Sequence, residues 1–188
     1  PGVVQVAWGR QGLREGDFQK PRAIAIGPDQ ALYLVDMTAR IQVYDANGKY
    51  LRGWQTPASA NGRPSGLSFD GSGRLLVADT HYYQVLRYTT DGKLLADQTI
   101  GGSAGAEPGQ FGFVTDAVED SQGYLYVGEY GDNDRIQKFS PAGECVGKGG
   151  VHAEASGQFR RRPNLADGDG AKTRPLDDLK HPVHVRSP

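Results

Sequence analysis

Three times along this chain a short run of β-branched, aromatic and leucine residues stops on an acid, and that recurrence constrains the fold more than any other feature. The runs are Leu32-Tyr33-Leu34-Val35-Asp36, Leu75-Leu76-Val77-Ala78-Asp79 and Tyr124-Leu125-Tyr126-Val127-Gly128-Glu129, with their acids 43 and then 50 residues apart. The flanks recur in step. Gly12-xxx-Gly16-Asp17-Phe18 returns as Gly105-xxx-Gly109-Gln110-Phe111, a shift of 93 that equals the distance from Asp36 to Glu129. Self-similarity at a period of roughly 40 to 50 residues marks a stack of supersecondary units, each burying its apolar face against the next.

Each unit holds four strand-like pieces. The first is residues 23–26, 66–69 or 116–119, and the second stops at the acid. The third is Ile41-Gln42-Val43-Tyr44, Val85-Leu86-Arg87-Tyr88 or Ile136-Gln137-Lys138-Phe139, and a fourth comes after a turn glycine, Gly48, Gly92 or Gly143. Turns such as Asp45-Ala46-Asn47-Gly48 and Asp70-Gly71-Ser72-Gly73 supply residues that tolerate turn dihedrals, so the strands join as hairpins. The 27 glycines fall in such turns between the apolar runs. Four antiparallel strands per unit describe an all-β propeller blade. The predicted division is an outer strand (around Val3-Val4-Gln5-Val6) and crossing from a preceding blade in 1–13, blade 1 in 14–56, blade 2 in 57–101 and blade 3 in 102–150. A degenerate fourth repeat and irregular tail occupy 151–188.

These residues resemble the NHL-repeat family, with its Gly-x-Phe lead, a proline, a strand ending in Val-x-Asp and an Arg-Ile-Gln-x-Phe strand. Unit 1 matches through Phe18, Pro21, Val35, Asp36 and Arg40-Ile41-Gln42-Val43-Tyr44. Unit 2 departs: it lacks the lead and reads Gln84-Val85-Leu86-Arg87-Tyr88, while unit 3 has Val114 in place of proline and Glu129 in place of Asp. The resemblance implies a six-bladed, TolB-like propeller. Three blades and a failed fourth do not close such a ring, so the chain is expected to be a fragment, or an arc that needs further blades or self-association.

The fourth repeat begins at Gly157-Gln158-Phe159 and then loses its pattern after Arg160-Arg161-Arg162, which fits a frameshifted or disordered end. From Gly149 onward there are 7 basic and 5 acidic residues against 14 and 17 before it, too weak an excess for an electrostatic arm. A single Cys145 excludes an intrachain disulfide framework, and no stretch approaches the roughly 18 apolar residues of a spanning helix. Compartment is not fixed by these features; the family's use in exported bacterial proteins favours an extracytoplasmic site.

Function is expected on the face that carries the second-to-third loops and the blade-to-blade crossings, read here as the longer connections. Its binding candidates are Arg14, Arg40, Asp79, His81, Tyr83, Glu129, Asp132 and Arg135. Asp36, Asp79 and Glu129, repeated once per blade, are expected to brace their loops by accepting backbone hydrogen bonds or pairing with Arg40 or Arg135, since a catalytic group is rarely needed once per blade. Asp132-Asn133-Asp134 resembles the start of a cation loop but lacks the Gly and distal Glu of an EF-hand. No catalytic residue, metal site or cofactor is assigned. The expected function is a non-catalytic scaffold binding a protein or glycan; RNA is disfavoured by the acidic balance of the first 148 residues. The alternative is a fragment of a propeller lyase similar to the amidating and streptogramin lyases, which implies a divalent metal held by His or Glu groups in the central channel.

Overall fold

The computed structural model describes residues 2–149; the fourth repeat and its tail, with His152, His181 and His184, lie outside them. Three four-stranded antiparallel sheets succeed one another. Blade 1 is β1 (Pro21–Ile26), β2 (Leu32–Asp36), β3 (Arg40–Tyr44) and β4 (Tyr50–Gln55). Blade 2 is β5 (Gly66–Phe69), β6 (Leu75–Asp79), β7 (Gln84–Tyr88) and a short β8 (Ile100–Gly101). Blade 3 is β9 (Phe113–Glu119), β10 (Leu125–Tyr130), β11 (Arg135–Phe139) and β12 (Cys145–Gly149). Within each sheet the strands pair in chain order, as a meander does. The two helical pieces, Thr80–Tyr82 and Ala96–Gln98, are single 3-10 turns, and no described helix is long and apolar enough to cross a membrane.

Period-two alternation builds the core. Tyr33, Val35, Ile41 and Val43 of blade 1 meet Leu67, Leu75, Val77, Leu86 and Tyr88 of blade 2 in one apolar cluster. The other face of blade 2, with Leu76, Ala78 and Val85, meets Val114, Ala117, Val127 and Phe139 of blade 3. Each such side chain contributes roughly 1.5–3 kcal/mol when fully buried, and hydrogen bonds such as Ser68 Oγ to the Ala117 carbonyl and Arg52 Nε to the Thr90 carbonyl cross the seams beside them. Blade 2, covered on both sides, exposes no large hydrophobic residue. Blade 1 leaves Ile24 and Ile26 exposed on its open flank, and blade 3 leaves Val118 and Ile136.

Loop lengths correct one expectation. The second-to-third loops, 37–39, 80–83 and 131–134, are the shortest connections, while the crossings, 56–65 and 102–112, and the third-to-fourth connection of blade 2, 89–99, are long. Each short loop closes on a residue with positive φ, Ala39 (63°), Tyr83 (57°) or Asp134 (41°), a left-handed step that reverses the chain quickly. Residues 3–6, expected as an outer strand, pair with nothing among the described residues.

Candidate functional site

Blades 1 and 3 carry the same polar brace. In blade 1 the Asp36 carboxylate accepts from the Gln19 N–H (3.0 Å), the Thr38 N–H (2.9 Å), the Thr38 hydroxyl and Arg40 Nη2 (2.5 Å). Arg40 also donates to the carbonyls of Gly12, Leu13 and Asp17 in the incoming segment. Gln42 completes the set, accepting from the Gly16 N–H and donating to the Asp17 carbonyl. In blade 3, Glu129 accepts from the Gly112 N–H, Asn133, Arg135 Nε (2.6 Å) and Gln137. Arg135 donates to the carbonyls of Ala106, Glu107 and Gln110, and Gln137 accepts from the Gly109 N–H. Burial alone would push Asp36 up, but the Thr38 hydroxyl, the Gln19 N–H and Arg40 outweigh it and hold its carboxyl below the ordinary value.

Blade 2 has lost this brace. Gln84 stands where the arginine stands in the other two, Leu86 replaces the second glutamine, and the crossing 56–65 lacks the Gly-x-Phe lead. Asp79 is 0% exposed, accepts only from Gln84 Nε2 (3.0 Å), and its Oδ1 has no hydrogen-bond partner. Burial pushes its pKa up, against a smaller lowering by Gln84.

This geometry turns several of the candidate residues on the expected face inward. Asp79, Glu129 and Arg135 are buried, and the Arg40 guanidinium is spent on carbonyls and Asp36, so none of the four reaches a partner directly. A guanidinium at a loop is inward here because the crossing presents a ring of carbonyl oxygens that only a multi-donor cation satisfies. Arg14 and Asp132 remain on the surface, apart from each other at the lips of different blades. In the Asp132-Asn133-Asp134 segment, Asn133 donates to Gly105 O and Glu129, and Asp134 accepts from the Gly131 N–H. Its side chains serve the loop. Among the described residues no three His, Cys, Asp or Glu side chains gather in metal-binding geometry.

His81 and Tyr83 do come together with two residues from the next blade. The Phe113 ring lies 5.3 Å from His81, 6.0 Å from Tyr83 in a stacked arrangement and 5.2 Å from Tyr130. Four rings thus form a continuous aromatic floor across the seam of blades 2 and 3, and Tyr130, 48% exposed, is its open end. Burial, with smaller contributions from Arg63 and Arg22, lowers the His81 pKa, so the imidazole is neutral at pH 7. Its Nδ1 is buried without a partner, and both arginines are exposed. Tyr83 in a left-handed backbone is costly for a bulky residue, although Ala39 and Asp134 show that every such loop requires that step. At the opposite ends of the strands, a cleft of about 210 Å³ between blades 2 and 3 is lined by Arg74, Arg87 and Glu119. There Arg87 Nε lies 3.2 Å from Asp70 as an ion pair without hydrogen-bond alignment, and its Nη2 pairs with Glu119. These charges neutralise one another and leave the seam structural.

No protein-family model matches the chain. Over 113 residues it is 35% identical to the peptidylglycine alpha-amidating monooxygenase of Rattus norvegicus, a match covering 55% of this chain and 11% of that protein. A catalytically inactive virginiamycin B lyase from Staphylococcus aureus with quinupristin shares the fold at a TM-score of 0.56, with 16% identity over 73% of this chain and 43% of that one. A streptogramin B lyase is similar at a TM-score of 0.53, with 18% identity over 74% of this chain and 42% of that one. The chain therefore spans a small part of the monooxygenase and less than half of either lyase. At these identities the solved structures speak for architecture, and with the three meandering sheets they make the described residues a run of three β-propeller blades, an incomplete propeller.

Proposed function

We propose that these are blades of an NHL-type, six-bladed propeller that binds a protein or glycan partner over the crossing-loop face, without chemistry of its own. The observation that carries this is the aromatic floor of His81, Tyr83, Phe113 and Tyr130 laid across a blade seam. Rings held in place by packing offer large apolar contact area at little entropic cost, and Arg22 and Arg63 nearby suit a ligand that carries acidic groups. The blade divisions 14–56, 57–101 and 102–150 supply the rigid frame in this reading, and Asp36 and Glu129 keep the loops in place. The test is a glycan array and a proximity-labelling screen run with the wild type, Tyr130→Ala and Arg63→Glu. Partners that bind the wild type are expected to weaken at least roughly tenfold with both variants, since a central aromatic anchor is worth about 2 kcal/mol or more. Partners that bind all three equally would remove the face from consideration.

A second reading, a lyase fragment, is favoured by the identity shared with the amidating monooxygenase. The metal such an enzyme implies does not fit the described residues. His81 is the one histidine among them, and the Glu129 carboxylate is already held by Arg135, Gln137, Asn133 and a backbone N–H. Stoichiometric zinc or magnesium lost on His81→Ala, together with turnover of a peptidyl-α-hydroxyglycine, would replace the scaffold reading with this one.

A further inference from the structure

Residues 3–8 pair with no strand among the described residues, yet their end is seated as a fourth strand is seated. In blade 2 the turn glycine Gly92 (φ +94°) lies against Trp54 of blade 1, where an added Cβ would come within 2.7 Å of the indole. In blade 3 the turn glycine Gly143 (φ +86°) lies against Ile100 of β8. In blade 1 the turn glycine Gly48 (φ +82°) lies against Trp8. Trp8 also tilts onto Tyr44 at 6.2 Å, as Trp54 tilts onto Tyr88 at 5.7 Å. The backbone just beyond Trp8 repeats that just beyond Ile100. Gly9 and Gly101 both have positive φ and both sit too close to a phenylalanine, Phe18 or Phe111, to carry a side chain. Phe18 then donates to the Arg10 carbonyl and accepts from the Gly12 N–H, while Phe111 donates to Ser103 and accepts from Gly105.

We infer that residues 3–8 are the fourth strand of a further blade of this same repeat, whose third strand and turn run directly into Val3 and hydrogen-bond to it antiparallel. The partner strand has a definable chemistry. Ile41 faces Trp54 and Val85 faces Ile100, so the residue opposite Trp8 is β-branched and aliphatic. The flank it covers is also waiting. Leu67 and Phe69 on β5 are part of the core shared with blade 1, whereas Ile24 and Ile26, in the same positions on β1, are 59% and 63% exposed. Val3 and Val4, 78% and 80% exposed, lie on the free strand itself. Among the described residues a second copy offers no open third strand, because β3, β7 and β11 each already carry a fourth.

The test is a fusion of residues 21–48, copied directly ahead of Val3 in the 188-residue chain, which puts Val4 in the register of Tyr50 and Trp8 in that of Trp54. Backbone amides of residues 4–8 are expected to exchange at least roughly 100-fold more slowly than in the unfused chain, as for strands brought into a sheet. Trp8 emission is expected to shift to the blue. If those amides exchange as fast as before while blades 1 to 3 keep their protection, the proposal is overturned. Should that fusion disturb blades 1 to 3, residues 113–143 placed ahead of Val3 give the same register, and the same outcomes decide. Protection of residues 4–8 in the unfused chain that rises with concentration as it dimerises would equally overturn it.

Discussion

Asp79 offers a quantitative probe of how these blades are braced. It carries a carboxylate in full burial, with one hydrogen bond from Gln84 at 3.0 Å and an Oδ1 without a partner, whereas Asp36 and Glu129 each face an arginine. Burial raises its folded pKa above the unfolded value, so between those two values the native state holds more protons than the unfolded chain. The stability this group contributes is therefore fully present below the unfolded pKa of about 4 and is lost as pH rises through the folded one. Asp79→Asn keeps the shape, still accepts from Gln84 and never ionises. The amide leaves an unpartnered N–H where Oδ1 stood, so what the substitution removes is the extra cost of burying a charge rather than a neutral polar group, and it is expected to stabilise by about 1 kcal/mol or more at pH 7. In a chain of this length that is a rise in Tm of about 2–4 °C for each kcal/mol. The gain is expected to shrink as pH falls toward 4, where the wild-type carboxyl takes up its proton ahead of an unfolded one. Urea unfolding of both proteins at pH 7 and pH 4, with unchanged m-values, measures it. A loss of more than about 1 kcal/mol at pH 7, the size of an ordinary net hydrogen bond, would show that the carboxylate is held by interactions and refute the reasoning.

The same assay applied to Asp36→Asn is expected to give the opposite sign. Removing that charge leaves the half-buried Arg40 without its anion, a loss of about 2–4 kcal/mol at pH 7, below that for breaking a fully buried pair. Because the Asp36 pKa is lowered, its contribution is present above the unfolded value and is lost as pH falls through the folded one, so acid should erase the difference between wild type and Asp36→Asn. Gly48→Ala is expected to cost about 1–3 kcal/mol, since it forces a side chain into a left-handed backbone and against Trp8. Trp8→Ala in the same chain should recover the steric part but not the backbone part, a coupling that a double-mutant cycle of urea midpoints reads directly. Tyr130→Ala, at the open end of the aromatic floor, is expected to change stability by less than about 0.5 kcal/mol while abolishing partner capture, which separates a binding role from a packing one.

The blades are legible in the sequence because their signals are local and repeated. Alternation places the strands, and the acids mark where the second strand of each unit stops. Asp36 and Glu129 lie four and six residues ahead of an arginine, close enough in sequence for the pairing to be anticipated. Burial of those arginines is not legible, because it depends on carbonyls delivered by a crossing some 25 residues away in sequence. Gln42 and Gln137 look like ordinary strand residues, though the glycines they bind, Gly16 and Gly109, are visible as part of the 93-residue repeat. The second-to-third loops look long because neither Ala39 nor Tyr83 advertises a left-handed step in the way glycine does. Arg22 gives no signal of its own, since nothing in the sequence around Pro21 says that it ends near enough to His81 for its charge to act on the imidazole.

The departures in unit 2 acquire a common cause once the brace is seen as one device. Gly-x-Phe presents the crossing carbonyls, the arginine satisfies them, the acid neutralises the arginine, and the glutamine ties the crossing to the third strand. Removing any one part leaves the others with unsatisfied groups, so unit 2 lacks the lead, the arginine and the glutamine together. Only Asp79 persists, and it stands immediately ahead of the 3-10 turn Thr80–Tyr82 that bears His81 and leads to Tyr83. The loop carrying half of the aromatic floor is thus the one without a guanidinium beneath it. It is held instead by the Thr80 hydroxyl donating to Ser65, whose own hydroxyl donates to the carbonyls of Val114 and Thr115 in blade 3. That chain of hydroxyls runs through Ser65, the last residue of the crossing 56–65, and couples the His81 loop to the strand that carries Phe113. The floor is therefore positioned by the blade 2 to blade 3 seam, and its geometry should track that seam when either blade is perturbed.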